Sequence, residues 1–282
     1  MIWTRANGGN PVLQAASMFD ETCVCEPCVL HDDRFRMWFR AGWETTRICY
    51  SESQDGITWS TPVTVLGQGA SNETGNAQQP SVAKFADVYW MYYTAGTNWG
   101  YRVAVSPDGI HWTNLAGSMP LPSGKTFFGN RYVWFSGAGT WFCLQEAGPT
   151  PWEMYLYTSG DGAGWALASG PLTSLRIVPG GAVGGPWMPI PQKVNGLYRL
   201  WYHAAPVAGS LPTDIYRATS PDLINWTRTG MELQHAGNWE FDQVADPHPL
   251  EVNGQSYLFY DGDNNTTAVC SIGMATSPGP LV

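Results

Sequence analysis

The amino-acid sequence predicts an all-β protein, a five-bladed β-propeller whose blades are four-stranded antiparallel sheets. The first observation is a turn of the pattern S-x-D-G-x-x-W, which ends at Trp59, Trp112 and Trp165, with a related S-P-D-L-I-N-W ending at Trp226. The second is its spacing, because these tryptophans lie 53, 53 and 61 residues apart. The third observation is composition, because 32 Gly, 21 Pro and 15 Trp suit tight turns and large aromatic fillers between sheets.

The fifth copy of the turn is divided between the two ends of the chain. It begins at Ser277, and its tryptophan is predicted to be Trp3. Because a blade cannot bury both faces alone, we expect one domain over residues 1–282. In it the N-terminal segment completes the last blade and closes the ring. The predicted blades cover about residues 22–70, 75–118, 127–172, 183–234, and 240–282 together with 1–14.

The residues of the repeated turn have a structural interpretation. Ser and Asp side chains can accept hydrogen bonds from nearby backbone N–H groups, and the Gly supplies a positive φ. The Trp that follows packs between blades. We therefore assign no catalytic role to the aspartates of these turns.

Charge and hydropathy exclude several classes of partner. The net charge is −9 and only 13% of residues are charged, with no basic stripe of the kind that binds nucleic acid. No run of 18 apolar residues is present, so no membrane span is expected. The N-terminus lacks the apolar stretch of a secretion signal. Cellular location and oligomeric state are left open by the sequence.

The cysteines allow three interpretations. The run C-V-C-E-P-C lies in a predicted buried strand, where a free Cys behaves as a small hydrophobic residue. It lacks the paired knuckles typical of zinc sites. Buried structural thiols are favoured, and a disulfide and a metal site are the alternatives. The cysteines are Cys23, Cys25, Cys28, Cys49, Cys143 and Cys270.

Two rings of side chains are predicted to converge at one mouth of the central channel. The inner strand of each blade starts there, and the second strand returns to it. The inner-strand positions are Glu26, Gln79, Arg131, Met188 and Asp246. The second-strand positions are Arg40, Thr94, Glu146, His203 and Asp261. Buried carboxylates beside Arg and His are unfavourable unless they are paired or functional, so this mouth is the candidate site.

Tryptophans in the connections at the same mouth suit a carbohydrate. An aromatic face packs against the C–H face of a sugar ring, while Arg, Gln and carboxylates bind hydroxyls. The alternative is that these tryptophans only pack loops. They are Trp43, Trp99, Trp152, Trp187 and Trp239. The predicted substrate contacts are Arg40, Trp43, Gln79, Trp99, Arg131, Trp187 and Asp261.

Several stretches resemble the five-bladed propeller glycosidases of glycoside hydrolase families 43, 32, 62, 117 and 130. They are the repeated turn, N-P-V-L near the start, F-D-E-T-C-V-C-E-P-C-V-L-H-D-D-R-F-R-M-W-F, and N-W-E-F-D-Q-V-A-D-P. The resemblance implies carboxylates at the channel mouth. Families 43 and 32 have an Asp where this chain has Glu26, and family 117 uses a His acid to which His203 could correspond. Some family 43 relatives hold a cation in the channel, for which His248 is the candidate here, although a structural histidine is favoured.

The resemblance and the residues together lead to a mechanistic hypothesis, an inverting hydrolysis of a glycosidic bond. Glu26 is predicted to be the general base, Glu146 the general acid, and Asp246 the residue that orients the sugar, with His203 as an alternative acid. No cofactor is expected. One alternative is a propeller that binds carbohydrate without catalysis. Another is a phosphorylase of the family 130 type, with Arg40 and Arg131 as phosphate ligands.

Overall fold

Antiparallel sheets follow one another along the chain to form five blades. The computed structural model describes residues 1–14, 23–67, 75–96, 99–149, 151–177, 182–205, 212–264 and 269–281, and of these it leaves the side chains of residues 184–192 undescribed. Four blades consist of four consecutive strands each, and the fifth takes its outer strands from the N-terminus. The predicted five-bladed propeller is therefore confirmed.

The strands are short and are connected mostly by turns. In the described ranges they are β1 Thr4–Arg5, β2 Leu13–Gln14, β3 Val24–His31, β4 Phe35–Ala41, β5 Arg47–Ser53, β6 Val63–Gly67, β7 Ala77–Phe85, β8 Val88–Ala95, β9 Gly100–Ser106, β10 Thr113–Leu115, β11 Phe127–Phe135, β12 Trp141–Gly148, β13 Glu153–Ser159, β14 Ala166–Ser169, β15 Val183–Val194, β16 Leu197–Ala204, β17 Asp214–Ser220, β18 Thr227–Leu233, β19 Gln243–Val252, β20 Gln255–Asn264 and β21 Val269–Pro278. Single 3₁₀ turns lie at Asn7–Gly9, Thr173–Leu175 and Asn238–Glu240. No helix in the described part of the chain is long and apolar enough to span a bilayer.

The inner strands surround a central pore. Blades 1 to 4 have the orders β3-β4-β5-β6, β7-β8-β9-β10, β11-β12-β13-β14 and β15-β16-β17-β18, and blade 5 has β19-β20-β21 with β1 and β2 both paired to β21. The first strand of each blade contacts the first strand of both neighbouring blades, including β19 with β3. Residues at the start of these strands are thereby brought together from distant parts of the sequence.

The repeated turn has the predicted structural role. In its first copy Ser53 Oγ accepts the N–H of Gly56 over 2.9 Å, and Asp55 Oδ1 accepts the N–H groups of Ile57 and Thr58 over 2.8 and 2.7 Å. Gly56 has a φ of +75°, a conformation that residues with a Cβ avoid. The Asp is therefore occupied in holding the turn.

The same turn connects neighbouring blades. Trp38 of blade 1 donates from Nε1 to the carbonyl of Gly109, in the turn of blade 2, over 2.8 Å. A Cβ on Gly109 would lie 2.7 Å from the Trp38 ring, so only glycine fits this position. Trp38 also packs edge-on against Trp112, with ring centroids 6.4 Å apart. Aromatic packing between blades thus forms much of the buried core.

The N-terminal segment closes the ring as predicted. Thr4 pairs with Thr276, and Leu13 pairs with Ile272, so β1 and β2 both form antiparallel ladders with β21. Trp3 is 9% exposed, and its Nε1 donates to Glu232 of blade 4 over 2.9 Å. The segment therefore contacts both the last blade and the one before it.

Replacing Trp3 by Ala is expected to lower the free energy of unfolding by about 3–5 kcal/mol, because a buried Trp loses its packing. Ile2, which is 83% exposed, gives the matched control, and Ile2→Ala should have little effect. Urea unfolding followed by tryptophan fluorescence measures both. Equal stability of the two variants would contradict closure of the ring by this segment.

Candidate active site

A β-bulge interrupts the inner strands of blades 1, 2, 3 and 5 at the same level of the pore. The register skips two residues in each strand, between Cys25 and Cys28, Gln78 and Ser81, Phe128 and Arg131, and Ala245 and His248. In three of these bulges the first skipped residue has a positive φ, with 57° at Glu26, 59° at Gln79 and 47° at Asp246. Residues with a Cβ rarely adopt this conformation, so the surrounding structure must stabilise it.

Polar side chains accept the backbone N–H groups that the bulges remove from the ladders. Three of the four acceptors belong to a neighbouring blade. The bonds run from Glu26 N–H to Asp261 Oδ1 (3.4 Å), from Gln79 N–H to Glu26 Oε2 (2.7 Å), from Asn130 N–H to Glu146 Oε2 (3.0 Å), and from Asp246 N–H to His203 Nδ1 (3.1 Å). The strained backbone and the charged side chains therefore depend on each other.

The bulges open onto a cavity of about 330 Å³. Among the described residues its lining includes one arginine, Arg40, one histidine, His203, and the carboxyl side chains of Glu26, Glu146, Asp246, Asp261 and Asp263. Thr94, the second-strand residue of blade 2, does not line the cavity. Its Oγ1 donates to Gln79 Oε1 over 2.7 Å and holds that amide in place.

Blade 3 differs from the prediction by one residue. Val29 pairs with Met37, three residues before Arg40. Val133 pairs with Cys143, three residues before Glu146, so the two valines occupy equivalent positions in blades 1 and 3. Counting back three residues from each valine makes Asn130, and not Arg131, the counterpart of Glu26. The prediction failed because blade 3 lacks the proline that follows this position in the other blades. Val133 could have identified Asn130 as the correct residue.

Arg131 is buried behind the cavity wall instead of lining it. It is 3% exposed, and its Nη2 donates to the carbonyl of Gly129 over 3.1 Å. Asn130 takes the place at the cavity, and its Nδ2 donates to Asp246 Oδ1 over 2.7 Å. The forked contact to substrate expected from Arg131 is not supported by this position.

Two other predicted positions lie where little can be described. In blade 4, Gly184 pairs with His203 and Trp187 pairs with Trp201, with a bulge between them, as Cys25 and Cys28 pair on either side of the bulge in blade 1. Gly185, and not Met188, is therefore the counterpart of Glu26, and the prediction of Met188 was wrong. Trp187 lies inside β15 and not in a connection before it, and the side chains of Trp187 and Met188 are outside the described part of the structure. Asp263 lines the cavity next to Asp261 on the same strand and was not predicted. Asp263 lies two residues after Asp261 in β20, and residues with this spacing share one face of a strand, so the sequence could have predicted it.

Glu26 and Arg40 form an ion pair inside the cavity wall. Arg40 Nη1 donates to Glu26 Oε1 over 2.9 Å, while Gln79 N–H occupies Oε2. Burial nevertheless raises the pKa of Glu26 to about 7, against the lowering effects of Arg40 and the Gln79 N–H. The neighbouring Asp261 adds to the increase. Glu26 therefore titrates near neutral pH.

Asp246 and Asp261 share a hydrogen bond and compete for negative charge. Burial raises the pKa of Asp246 to about 7, and the charge of Glu26 raises it further, although Asp261 and Asn130 donate hydrogen bonds that lower it. The pKa of Asp261 is raised well above its usual range by burial and by the Asp246 charge. We conclude that one proton is shared by this pair at neutral pH and resides mainly on Asp261.

His203 is held as a neutral imidazole. Its Nδ1 accepts the N–H of Asp246, so this nitrogen carries no proton. Burial lowers the pKa of His203, while Glu146 and Asp261 act in the opposite direction. The ring proton accordingly lies on Nε2. A neutral His203 is a hydrogen-bond donor and a poor candidate for the alternative general acid.

Glu146 lies against the aromatic side of the cavity. A Cβ on Gly129 would come within 2.6 Å of Glu146 Oε2 and 2.9 Å of the Trp152 ring. The missing side chain at Gly129 is therefore what allows the carboxylate and the indole to approach the same piece of backbone. Glu146 is 6% exposed and is fixed by the N–H of Asn130.

Aromatic rings form the rim of the cavity. Phe127 lies between Trp99 and Trp152, with ring centroids 5.3 and 5.9 Å away, and the three rings form a continuous shelf over blades 2 and 3. On blade 1, Trp43 is 60% exposed, and its ring centroid lies 5.4 Å from Cζ of the Arg40 guanidinium. Trp239 does not line the cavity and instead stacks on Tyr260.

His248 has a structural environment. One of its ring nitrogens accepts the N–H of Val29 over 3.2 Å, which connects blade 5 to blade 1. Burial lowers the pKa of His248 well below its ordinary value. Within the described residues, no group of three or more His, Cys, Asp or Glu side chains is placed to hold a metal ion.

Comparison with known sequences finds two distant relatives. No protein-family model matches the chain. It is 22% identical over 278 residues to uncharacterized protein Rv1502 of Mycobacterium tuberculosis (strain ATCC 25618 / H37Rv), covering 90% of this chain and 72% of that protein. Uncharacterized protein MT1551 of strain CDC 1551 / Oshkosh matches to the same extent.

Comparison with solved structures gives the fold. The chain is similar to BT0996, solved as an RGII complex, with a TM-score of 0.76, at 18% identity over 96% of this chain and 92% of that one. It is similar to the Coprinopsis cinerea GH62 α-L-arabinofuranosidase catalytic domain with a TM-score of 0.72, at 12% identity over 98% and 96%. A structure of the GH130 family, described as mannoside phosphorylases that include glycoside hydrolases acting on β-1,2 mannosidic linkages, has a TM-score of 0.69 at 18% identity over 99% and 96%. The chain shares its fold with five-bladed propeller glycoside hydrolases.

The raised pKa of Asp246 predicts the direction in which folding stability changes with pH. Its folded value, about 7, lies above its ordinary 3.8, so the folded state loses stability as pH rises from about 4 through 7. Asp246→Asn removes this loss. We expect the variant to gain on the order of 1–2 kcal/mol over wild type at pH 8 and little at pH 4, since one pKa unit is worth about 1.4 kcal/mol and solvent access reduces the full effect.

Thermal unfolding across pH 4–8 tests the prediction, with Glu44→Gln, at an exposed position in the connection that follows β4, as the control. A destabilised Asp246→Asn protein at pH 8 would show that the carboxylate is favourably paired, contrary to the shared-proton assignment.

Proposed function

We propose that this protein is a glycosidase that hydrolyses a glycosidic bond in the cavity at the propeller mouth. The observation that carries the proposal is the set of five carboxyl groups in one small cavity beneath aromatic rings. Glycoside hydrolysis needs one carboxylic acid and one carboxylate on opposite sides of the scissile bond. A pKa near 7 at both Glu26 and Asp246 supplies protonated and ionised groups together at neutral pH.

The position of the aromatic shelf supports Glu146 as the general acid. A leaving sugar can pack its C–H face on an apolar surface, and the shelf of Trp99, Phe127 and Trp152 offers one. Glu146 reaches the cavity beside that shelf, where it shares the space above Gly129 with Trp152. A proton delivered from Glu146 would therefore meet the oxygen of a leaving sugar bound on the shelf.

Glu26 is proposed as the general base that activates water. Arg40 and the Gln79 N–H both contact its carboxylate oxygens and fix their direction. Asp246 and Asp261, which share one proton, lie beside it and bind hydroxyls of the sugar ring while limiting the negative charge next to Glu26. We propose an inverting reaction, which requires the carboxyl groups of Glu26 and Glu146 to lie roughly 6.5–9.5 Å apart so that a water fits between base and sugar.

The charge of the lining favours a neutral sugar and water as the acceptor. Arg40 is the cationic side chain among the described lining residues, and it is already paired with Glu26. Phosphate or a uronic acid would meet the surrounding carboxylates without a free cation. This arrangement disfavours the phosphorylase alternative, and carbohydrate binding without catalysis is the competing function.

Variants of the two proposed catalytic carboxyls should respond differently to the leaving group. Glu146→Gln should lose about 10²–10⁴-fold in turnover on a natural oligosaccharide, yet retain turnover on an aryl glycoside with a dinitrophenyl leaving group, which needs no proton. Glu26→Gln should lose turnover on both. Glu44→Gln is the control and should behave as wild type.

The first-formed anomer, followed by proton NMR, reports whether the reaction inverts. A panel of oligosaccharides that bind without any sugar being released would show a recognition module instead of an enzyme. Equal losses by Glu146→Gln on both leaving groups would remove it from the acid role.

A further inference from the structure

Three thiols meet where the first blade joins the last. Cys23, Cys25 and Cys270 form a buried cluster of their own. Cys23 Sγ lies 3.5 Å from Cys25 Sγ, and the backbones of Cys23 and Cys270 are partners in a parallel bridge between the blades. The glycosidase proposal uses none of them.

Two thiols of the cluster reach the cavity, and the pKa values of the three thiols are shifted in different directions. Cys25 and Cys270 line the cavity, while Cys23 lies behind them. Arg40 Nη2 donates to Cys23 Sγ over 3.6 Å. Hydrogen bonds from the other two thiols, together with Arg40, lower the pKa of Cys23, whereas the pKa of Cys25 and that of Cys270 are raised. A cysteine sulfur that an arginine contacts, with two further thiols in the same cluster, is the arrangement of a peroxide-reactive cysteine with a resolving partner.

We propose that this cluster is a site of reversible oxidation, in which a small hydroperoxide entering the cavity converts Cys23 and Cys270 into a disulfide. The Cys23 thiolate attacks one oxygen of the peroxide, the O–O bond breaks, and the other oxygen leaves as hydroxide or alkoxide. The Cys270 thiol then attacks the resulting sulfenic acid, forms the S–S bond and releases water. Two thiols and one hydrogen peroxide thus give one disulfide and two waters.

Backbone geometry selects Cys270 as the partner of Cys23. A disulfide needs Cα atoms roughly 4.4–6.8 Å apart, and paired strands lie about 4.7–4.9 Å apart. Cys23 and Cys25 are two residues apart in one chain segment, where an extended backbone separates Cα atoms by about 6.6 Å, near the upper limit. The bridge between Cys23 and Cys270 therefore accommodates the bond with less movement.

The disulfide would change both the ring and the site. It joins the start of blade 1 covalently to β21 of blade 5, at the same junction that β1 and β2 close by hydrogen bonding. It also removes the Cys23 thiolate from Arg40 and leaves Glu26 as the anion that Arg40 contacts. Oxidation should accordingly raise Tm and be reversed by dithiothreitol.

The test treats the full chain with hydrogen peroxide, alkylates the remaining thiols and localises the link by fragment-ion mass spectrometry. We expect two of the six thiols to disappear as a Cys23–Cys270 disulfide and to return on reduction. In Cys270→Ser, Cys23 should persist as a sulfenic acid that reacts with dimedone. Cys49→Ser, at a buried thiol in the middle of blade 1, is the matched control and should oxidise as wild type.

Survival of all six thiols at a peroxide concentration that oxidises a model dithiol would overturn the proposal, as would a link that involves Cys25, Cys28, Cys49 or Cys143. If Cys270→Ser does not fold, the peptide map of the wild-type protein still decides between these results. The outcome is independent of whether the cavity cleaves sugars.

Discussion

The hydrogen bonds from the bulged inner strands to side chains of adjacent blades are the interaction on which the rest of this structure depends. Each bulge removes a backbone N–H from its ladder, and a buried N–H without a partner is strongly unfavourable. Glu26 accepts this group from Gln79, and Asp261 accepts it from Glu26 itself. The polar groups of the cavity are therefore part of what holds neighbouring blades in register.

This dependence explains why charged groups can be buried in a chain that has so few of them. The desolvation of Glu26 and Asp246 is unfavourable, and their raised pKa values measure it. Arg40, Asn130 and the bulge N–H groups offset part of that penalty. What is left is a set of carboxyl groups that exchange protons near neutral pH. The same imbalance that weakens the fold makes the cavity suited to acid–base chemistry.

The sequence predicted the blades and the closure of the ring because those features rest on local chemistry. The Ser and Asp of the repeated turn bind the backbone within four residues, and that pattern is visible in any one copy. The position of Arg131 was predicted wrongly because the bulge of blade 3 lacks the proline that identifies a bulge in the sequence of the other blades. Val133 would have corrected the prediction, but it identifies the bulge position only once the pairing of β11 with β12 is known.

Protonation could not be predicted from sequence, since it depends on contacts between residues far apart in the chain. Asp246 and Asn130 are 116 residues apart, and Glu26 and Asp261 are 235 apart, yet these contacts decide which carboxyl is ionised. The thiol cluster has the same origin. Cys23 and Cys25 were visible as a motif, whereas Cys270 joins them only after the ring has closed.

The most direct test of the account is a pH titration of the side-chain carboxyl carbons of Glu26 and Asp246 by carbon-13 NMR, with resonances assigned from the Glu26→Gln and Asp246→Asn proteins. The account predicts titration midpoints for both carboxyls near 7, each shifted when the other carboxyl is removed. Midpoints close to 4 for both groups, unaffected by the substitutions, would contradict it, because Glu26 and Asp246 would then be ordinary carboxylates that exchange no proton near neutral pH.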